Sequence, residues 1–127
     1  MNATVLPHSL LVFAGGGLGA VLRFWLGEWV KQFDWGRHFP WATFAINVLG
    51  SFVLGVVATA CAGDEKMSWR LLLGTGVCGG FTTFSTFSVE TLQMIEQQRY
   101  WAAGGYVLGS VLAGLVGAWA GWRLVKG

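Results

Sequence analysis

The residues with most chemistry to offer sit together between positions 78 and 90, in the run Cys-Gly-Gly-Phe-Thr-Thr-Phe-Ser-Thr-Phe-Ser-Val-Glu. The run carries a glycine pair, five hydroxyls (Thr82, Thr83, Ser85, Thr86, Ser88) and the carboxyl of Glu90 inside an otherwise apolar segment. Hydrocarbon offers such groups no partner, and each one left unsatisfied costs on the order of several kcal/mol. A lipid-facing helix would not carry that load. The run therefore reads as a helix broken near Gly79-Gly80, meeting something polar at mid-membrane depth. Phe84 and Phe87 are three apart and share one helix face, and Phe81 is expected to extend the row. By periodicity alone such a pair is core packing. Among so many hydroxyls, its electropositive ring edges also suit an anion.

Two other segments carry polar groups at helical spacing. Thr43, Asn47 and Ser51 recur every four residues and form one polar stripe on an apolar helix. The stripe either makes interhelical hydrogen bonds or lines a pathway, where the two N–H donors of an Asn amide suit an anion. Tyr106 and Ser110, four apart, give a second and shorter stripe. Arg23 lies about two turns inside the end of the first apolar segment. It is either a snorkelling or helix-pairing cation, or one that draws anions into a vestibule. His38 reads as a solvated loop residue, since nothing nearby completes a metal site. Cys61 and Cys78 match no paired-cysteine metal pattern and read as two unpaired thiols within apolar spans.

The elements that must position these groups follow from composition. A chain of 127 residues that is 54% hydrophobic and 11% charged, with 20 Gly and 8 Trp, is a membrane protein, not a soluble domain. A spanning helix needs roughly 20 mostly apolar residues. Four such segments fit, at about 10–30, 42–62, 69–95 and 101–125, so the whole chain, 1–127, reads as one integral membrane domain without room for a soluble catalytic module. No basic run accompanies the net charge of +2, which speaks against nucleic acid. No Lys/Arg-led leader with a cleavage site precedes the first segment, which is expected to stay as a helix. The small residues Gly15-Gly16-Gly17-Leu18-Gly19-Ala20 in the first helix, and Ala113, Gly117 and Gly121 in the last, invite close backbone packing. Trp25 and Trp29 fit an interfacial aromatic belt, and Ser68 is placed to cap the third helix.

With four spans, the side holding both termini carries Lys66, Arg70, Arg123 and Lys126, and the other side Lys31, Arg37 and Arg99. Four cations against three specify no orientation. A tie can arise by accident in a short chain. It is also what a chain inserted both ways would show, and two opposed copies would form an antiparallel dimer with its two-fold axis in the membrane plane. No internal repeat is visible, so a second copy would have to supply the inverted half that such transport proteins use.

These residues resemble a known family. Gly-Gly-Phe-Thr-Thr-Phe-Ser-Thr-Phe-Ser (79–88), the Gly-rich run ending in Arg23, and Asn47-Val48-Leu49-Gly50-Ser51-Phe52 are together similar to the Fluc (CrcB) fluoride channels, a likeness that covers essentially the whole chain. The resemblance implies a dual-topology antiparallel homodimer in the bacterial inner membrane, with two pores that export fluoride passively and lower its cytoplasmic level. It implies a structural Na+ at the dimer centre, held by the backbone carbonyls of Gly79 and Thr82 from both copies. It makes Phe84 and Phe87 the paired rings of the pore and Asn47 the pore-lining amide. Thr43, Ser85, Thr86, Tyr106 and Ser110 join the polar track, Glu90 matches a pore-associated carboxyl, and Arg23 belongs to the vestibule. Gly114 stands where some relatives carry a further hydroxyl, so the track is expected to be shorter.

The chemistry suits the residues. Fluoride is small and strongly hydrated, and its water must be replaced by donors that carry no trapping positive charge. A bare carboxylate beside such a path would repel the ion, so Glu90 is expected either protonated or paired to a donor such as a Tyr hydroxyl. Unpaired carbonyls at a helix break would bind a cation. Two other classes compete. A proton-coupled small multidrug exporter needs a membrane-embedded carboxylate in the first helix, and only Glu28 is offered, close to its end. A non-transporting structural subunit would not need donor stripes on two helices. An enzyme would need a nucleophile, base and orienting group, which are not assembled.

Overall fold

The structure is a computed structural model that describes residues 2–127. Three helices are long and apolar enough to cross a membrane: α1 (Val5–Lys31), α2 (Trp41–Ala60) and the last, Tyr100–Lys126. Between α2 and the last helix the chain is helical in pieces. A first turn, α3 (Met67–Trp69), runs into a π-helical stretch, Arg70–Cys78, and then into α4 (Gly79–Phe81). After two extended residues α5 (Phe84–Glu96) follows, and α6 (Tyr100–Lys126) ends the chain. Large side chains such as Phe13, Trp101 and Leu124 stand exposed all round, the surface of a protein solvated by lipid and not water.

The helices pair through glycine. An added Cβ at Gly15 or Gly19 would collide with the backbone of Leu72, Gly76 and Val77, and one at Gly80 with the backbone of Gly16. α1 thus lies backbone to backbone along 70–81, as the small-residue run requires. α2 and α6 meet the same way: Gly121 abuts the Phe52 carbonyl, Gly117 approaches Val48, and Gly55 abuts Ala118. Gly17 faces open space and takes no part. Arg70 donates to the carbonyls of Cys61 and Ala62, both at 3.2 Å, and so satisfies groups the end of α2 leaves bare.

Several expectations need correction. The helix does not break at Gly79-Gly80. Both are helical, and the extended residues are Thr82 (φ −75°, ψ 157°) and Thr83 (φ −150°, ψ 110°). Gly80 serves backbone approach to Gly16, while the polar side chains of two β-branched threonines, which favour extended backbone, hold the break open. Phe81 consequently ends the helix before the break and cannot share a face with Phe84 and Phe87 after it. Ser68 does not cap the third helical segment; it lies inside the first turn, which a 3-10 turn at Asp64–Lys66 feeds directly. α1 begins at Val5, five residues before the expected start, because Val5, Leu6 and Leu10 continue its apolar surface.

Candidate functional site

The site is built on the break. An interrupted helix strands its last carbonyls and the next helix's first amides, and here each finds a different partner. The Thr83 amide, which an unbroken helix would direct at Gly79, donates to Asn47 Oδ1 at 2.8 Å, and Asn47 Nδ2 donates back to the Thr83 carbonyl at 3.1 Å. Thr83 also caps α5: its Oγ1 accepts from the Thr86 amide at 3.2 Å and donates to Thr86 Oγ1 at 3.0 Å. The Gly80 carbonyl accepts from Arg23 Nε at 3.2 Å. Thr82 bonds back to the Cys78 carbonyl through both its amide (3.0 Å) and its hydroxyl (2.8 Å). Among the described residues the carbonyls of Gly79, Phe81 and Thr82 accept nothing.

One turn along α5, Glu90 is held at both oxygens. Thr43 donates to Oε1 and the Tyr106 hydroxyl to Oε2, each at 2.7 Å. The tyrosine partner expected for Glu90 is present. Glu90 is half-buried and lines the larger of the two pockets that flank the break, while Tyr106 is 0% exposed. Its ring packs 5.0 Å from that of Phe87, which lies 5.7 Å from Phe84. The stripe Thr43–Asn47–Ser51 therefore does make interhelical bonds at its first two positions. Ser51 turns back on its own helix and donates to the Asn47 carbonyl at 2.7 Å.

Two pockets flank the break. The larger, about 450 Å³, opens among the loop at 31–40 and the α5–α6 turn, with Arg23, Lys31, Arg37 and Arg99 in its walls and Thr83, Thr86 and Glu90 deeper in. The second, about 300 Å³, is lined by Asn47, Ser51, Thr83, Phe84, Phe87 and Ser110. No Lys or Arg enters it. Thr83 belongs to both and stands between them. Ser110 Oγ is buried and has no hydrogen-bond partner among the described residues, which leaves a hydroxyl free to donate into that space. Ser85 is exposed and reaches the cluster only through Thr83 Oγ1 at 3.4 Å. A Cβ on Gly114 would stand 3.6 Å from Ser51 Oγ, so that turn of α6 does face the stripe.

Sequence reasoning passed over one central residue, Thr83. A readable signal existed, since Thr at 83 followed by a polar residue at 86 has the spacing of a helix N-cap and its third residue. It also passed over Arg99, whose guanidinium donates to the His38 carbonyl across the vestibule mouth; nothing in the local sequence marks that contact. Glu28 is exposed and paired with Lys31 at 2.5 Å, so it is no membrane-embedded proton carrier.

Fold and site together define a class: a helical membrane protein whose broken segment presents uncharged donors, with cations only at the mouth. Comparison with known proteins agrees with that class. Residues 10–122 match the family described as CrcB-like protein, Camphor Resistance (CrcB), and the chain belongs to that family. It is 50% identical over 119 residues to the fluoride-specific ion channel FluC of Oceanobacillus iheyensis, an alignment covering 92% of this chain and 90% of the relative. The fluoride-specific ion channel FluC of Gloeobacter violaceus is 43% identical over 120 residues (94% and 96% covered). FluC 2 of Nitrobacter hamburgensis is 45% identical over 121 residues (94% and 97% covered).

Proposed function

We propose that the chain is a fluoride-selective channel of the bacterial inner membrane, not an enzyme, letting fluoride leave the cell down its gradient. The observation that carries this reading is the run of uncharged donors from the wide mouth into the second pocket: Thr83, Thr86, Asn47 and the unpartnered Ser110, beside the rings of Phe84 and Phe87. A small anion strips its water at high cost in a medium of low dielectric, and hydroxyl, amide and ring-edge donors replace that water without a fixed charge to trap it. The cations of the mouth raise the local anion concentration. Glu90, which lines the mouth, has both oxygens engaged by Thr43 and Tyr106.

The working unit in this reading is an antiparallel dimer of four-span chains, the two-piece segment 67–96 forming the third span. Phe84 is 78% exposed and the second pocket is open on one side, so a single chain leaves a pore ring uncovered, and a second copy would supply the missing wall. The near-equal charge of the two ends supports insertion both ways. A structural Na+ fits the residues present. The carbonyls of Gly79 and Thr82 are unclaimed at a break in an apolar surrounding, and hard oxygen donors of this kind suit a monovalent alkali ion. When bound, the ion would satisfy those carbonyls and tie the two copies together.

The test is efflux from liposomes holding purified protein, read with fluoride- and chloride-selective electrodes. Fast fluoride release with chloride retained is expected. Equal release of both anions rejects a selective pore.

A further inference from the structure

The loop between α1 and α2 is exposed from 31 to 38, yet Phe39 is half-buried and packs inward. Its ring meets Tyr106 at 5.3 Å with planes 79° apart, and it also touches Phe44 at 5.9 Å. Tyr106 therefore stands between two rings, Phe39 on the vestibule side and Phe87 on the pore side. The preceding residue is tied down from elsewhere, since the His38 carbonyl accepts from Arg99. Arg99 is itself aimed by the end of α5: Gln98 takes a left-handed φ of 59° and the Arg99 amide returns to the Met94 carbonyl at 2.8 Å, a Schellman close. The contacts form a closed circuit. It leaves α5 at its C-terminus, passes through Arg99, His38, Phe39 and Tyr106, and returns to α5 at Phe87 and Glu90.

We propose that Phe39 is a positioning residue for conduction, a wedge that fixes the Tyr106 ring and through it the angle of the Phe87 edge and the hydroxyl on Glu90. Phe39 lines the wide mouth, where fluoride would not yet be dehydrated, and its side chain carries no hydrogen-bonding group. Its effect on a pore lies in the ring it holds. Edge-to-face aromatic contacts depend on angle, so a Tyr106 freed on one side loses the orientation that sets Phe87. Phe39 and Phe87 are the rings in direct aromatic contact with Tyr106, while Met94 and Ala103 complete its buried cluster and Phe44 packs behind Phe39. The same circuit makes Arg99 a weaker contributor, acting through the backbone at His38.

This inference rests on the fluoride-channel reading, and its test separates the two. Wild type, Phe39→Ala, Phe39→Leu and Arg99→Gln are reconstituted at low density, so that the fraction of active liposomes and the fluoride turnover per active channel are read independently. The loss of one aromatic contact corresponds to a turnover in Phe39→Ala roughly three- to tenfold lower, with the active fraction unchanged. Phe39→Leu, which keeps the bulk, should recover to within about twofold, a wedge being replaceable by volume. Arg99→Gln should lower turnover about two- to threefold, and it removes nothing from the core should Phe39→Ala not fold. A purely structural role would lower the active fraction and leave turnover per channel intact, which overturns the proposal. So does wild-type turnover in both Phe39→Ala and Arg99→Gln, or in Arg99→Gln alone if Phe39→Ala does not fold. Wild-type liposomes that hold fluoride would instead sink the channel reading, and the wedge with it.

Discussion

Replacing Asn47 tests the physical core of the site. Its amide supplies both bonds that hold the Thr83 peptide, 2.8 Å to the N–H and 3.1 Å to the carbonyl. Asn47→Leu keeps the branched outline and removes both partners, leaving a donor and an acceptor stranded. In water-soluble cores each stranded group costs about 1–3 kcal/mol. Polar contacts between membrane helices measure lower, about 0.6 to 2 kcal/mol each. The sum for two bonds is then roughly 1–4 kcal/mol. Asn47→Asp separates the halves, since a carboxylate oxygen still accepts from the Thr83 amide while nothing donates to its carbonyl. The assay is hydrogen exchange at the Thr83 amide, with thermal unfolding in detergent alongside. At about 1–3 kcal/mol, the Thr83 amide of Asn47→Leu should exchange roughly five- to 150-fold faster, and that of Asn47→Asp should stay close to wild type. Unchanged protection of Thr83 in Asn47→Leu would refute the claim that this side chain holds the break.

Four further outcomes are expected. Phe84→Ile and Phe87→Ile should each cut fluoride flux sharply while the protein still runs as a dimer on size exclusion; unaltered flux in both would assign the rings to packing. Gly80→Ala should destabilise by about 1–3 kcal/mol because its new methyl meets the Gly16 backbone, whereas Gly17→Ala faces open space and should be neutral, as compared by thermal melts. Gln98→Gly should stabilise by about 1 kcal/mol, since Gly takes the left-handed C′ position without the Cβ penalty; a lower melting temperature would contradict the Schellman close. Accessibility tags on the C-terminus should report from both sides of the membrane, and a one-sided result removes the antiparallel dimer.

Much of the protein was legible from residue order because lipid imposes few solutions. Long apolar stretches had to be helices, and runs of small residues had to be faces where helices touch, as Gly15, Gly19, Gly117 and Gly121 do. A stretch with five hydroxyls and a carboxyl had to break and find partners. What those partners are is not a local property. Asn47 and Thr83 are 36 positions apart, and only the packing of α2 against the broken segment brings one peptide to one amide. The site of the break moved from the glycines to Thr82–Thr83 for the same reason: glycine permits a bend, but a peptide leaves the helix where something across the interface takes its hydrogen bonds. Sequence thus determined that there is a membrane fold with a polar interruption. Tertiary structure decided that Thr43 and Tyr106 are the groups that reach Glu90, and that a loop phenylalanine reaches the rings inside, because both depend on which surfaces the helices turn toward each other.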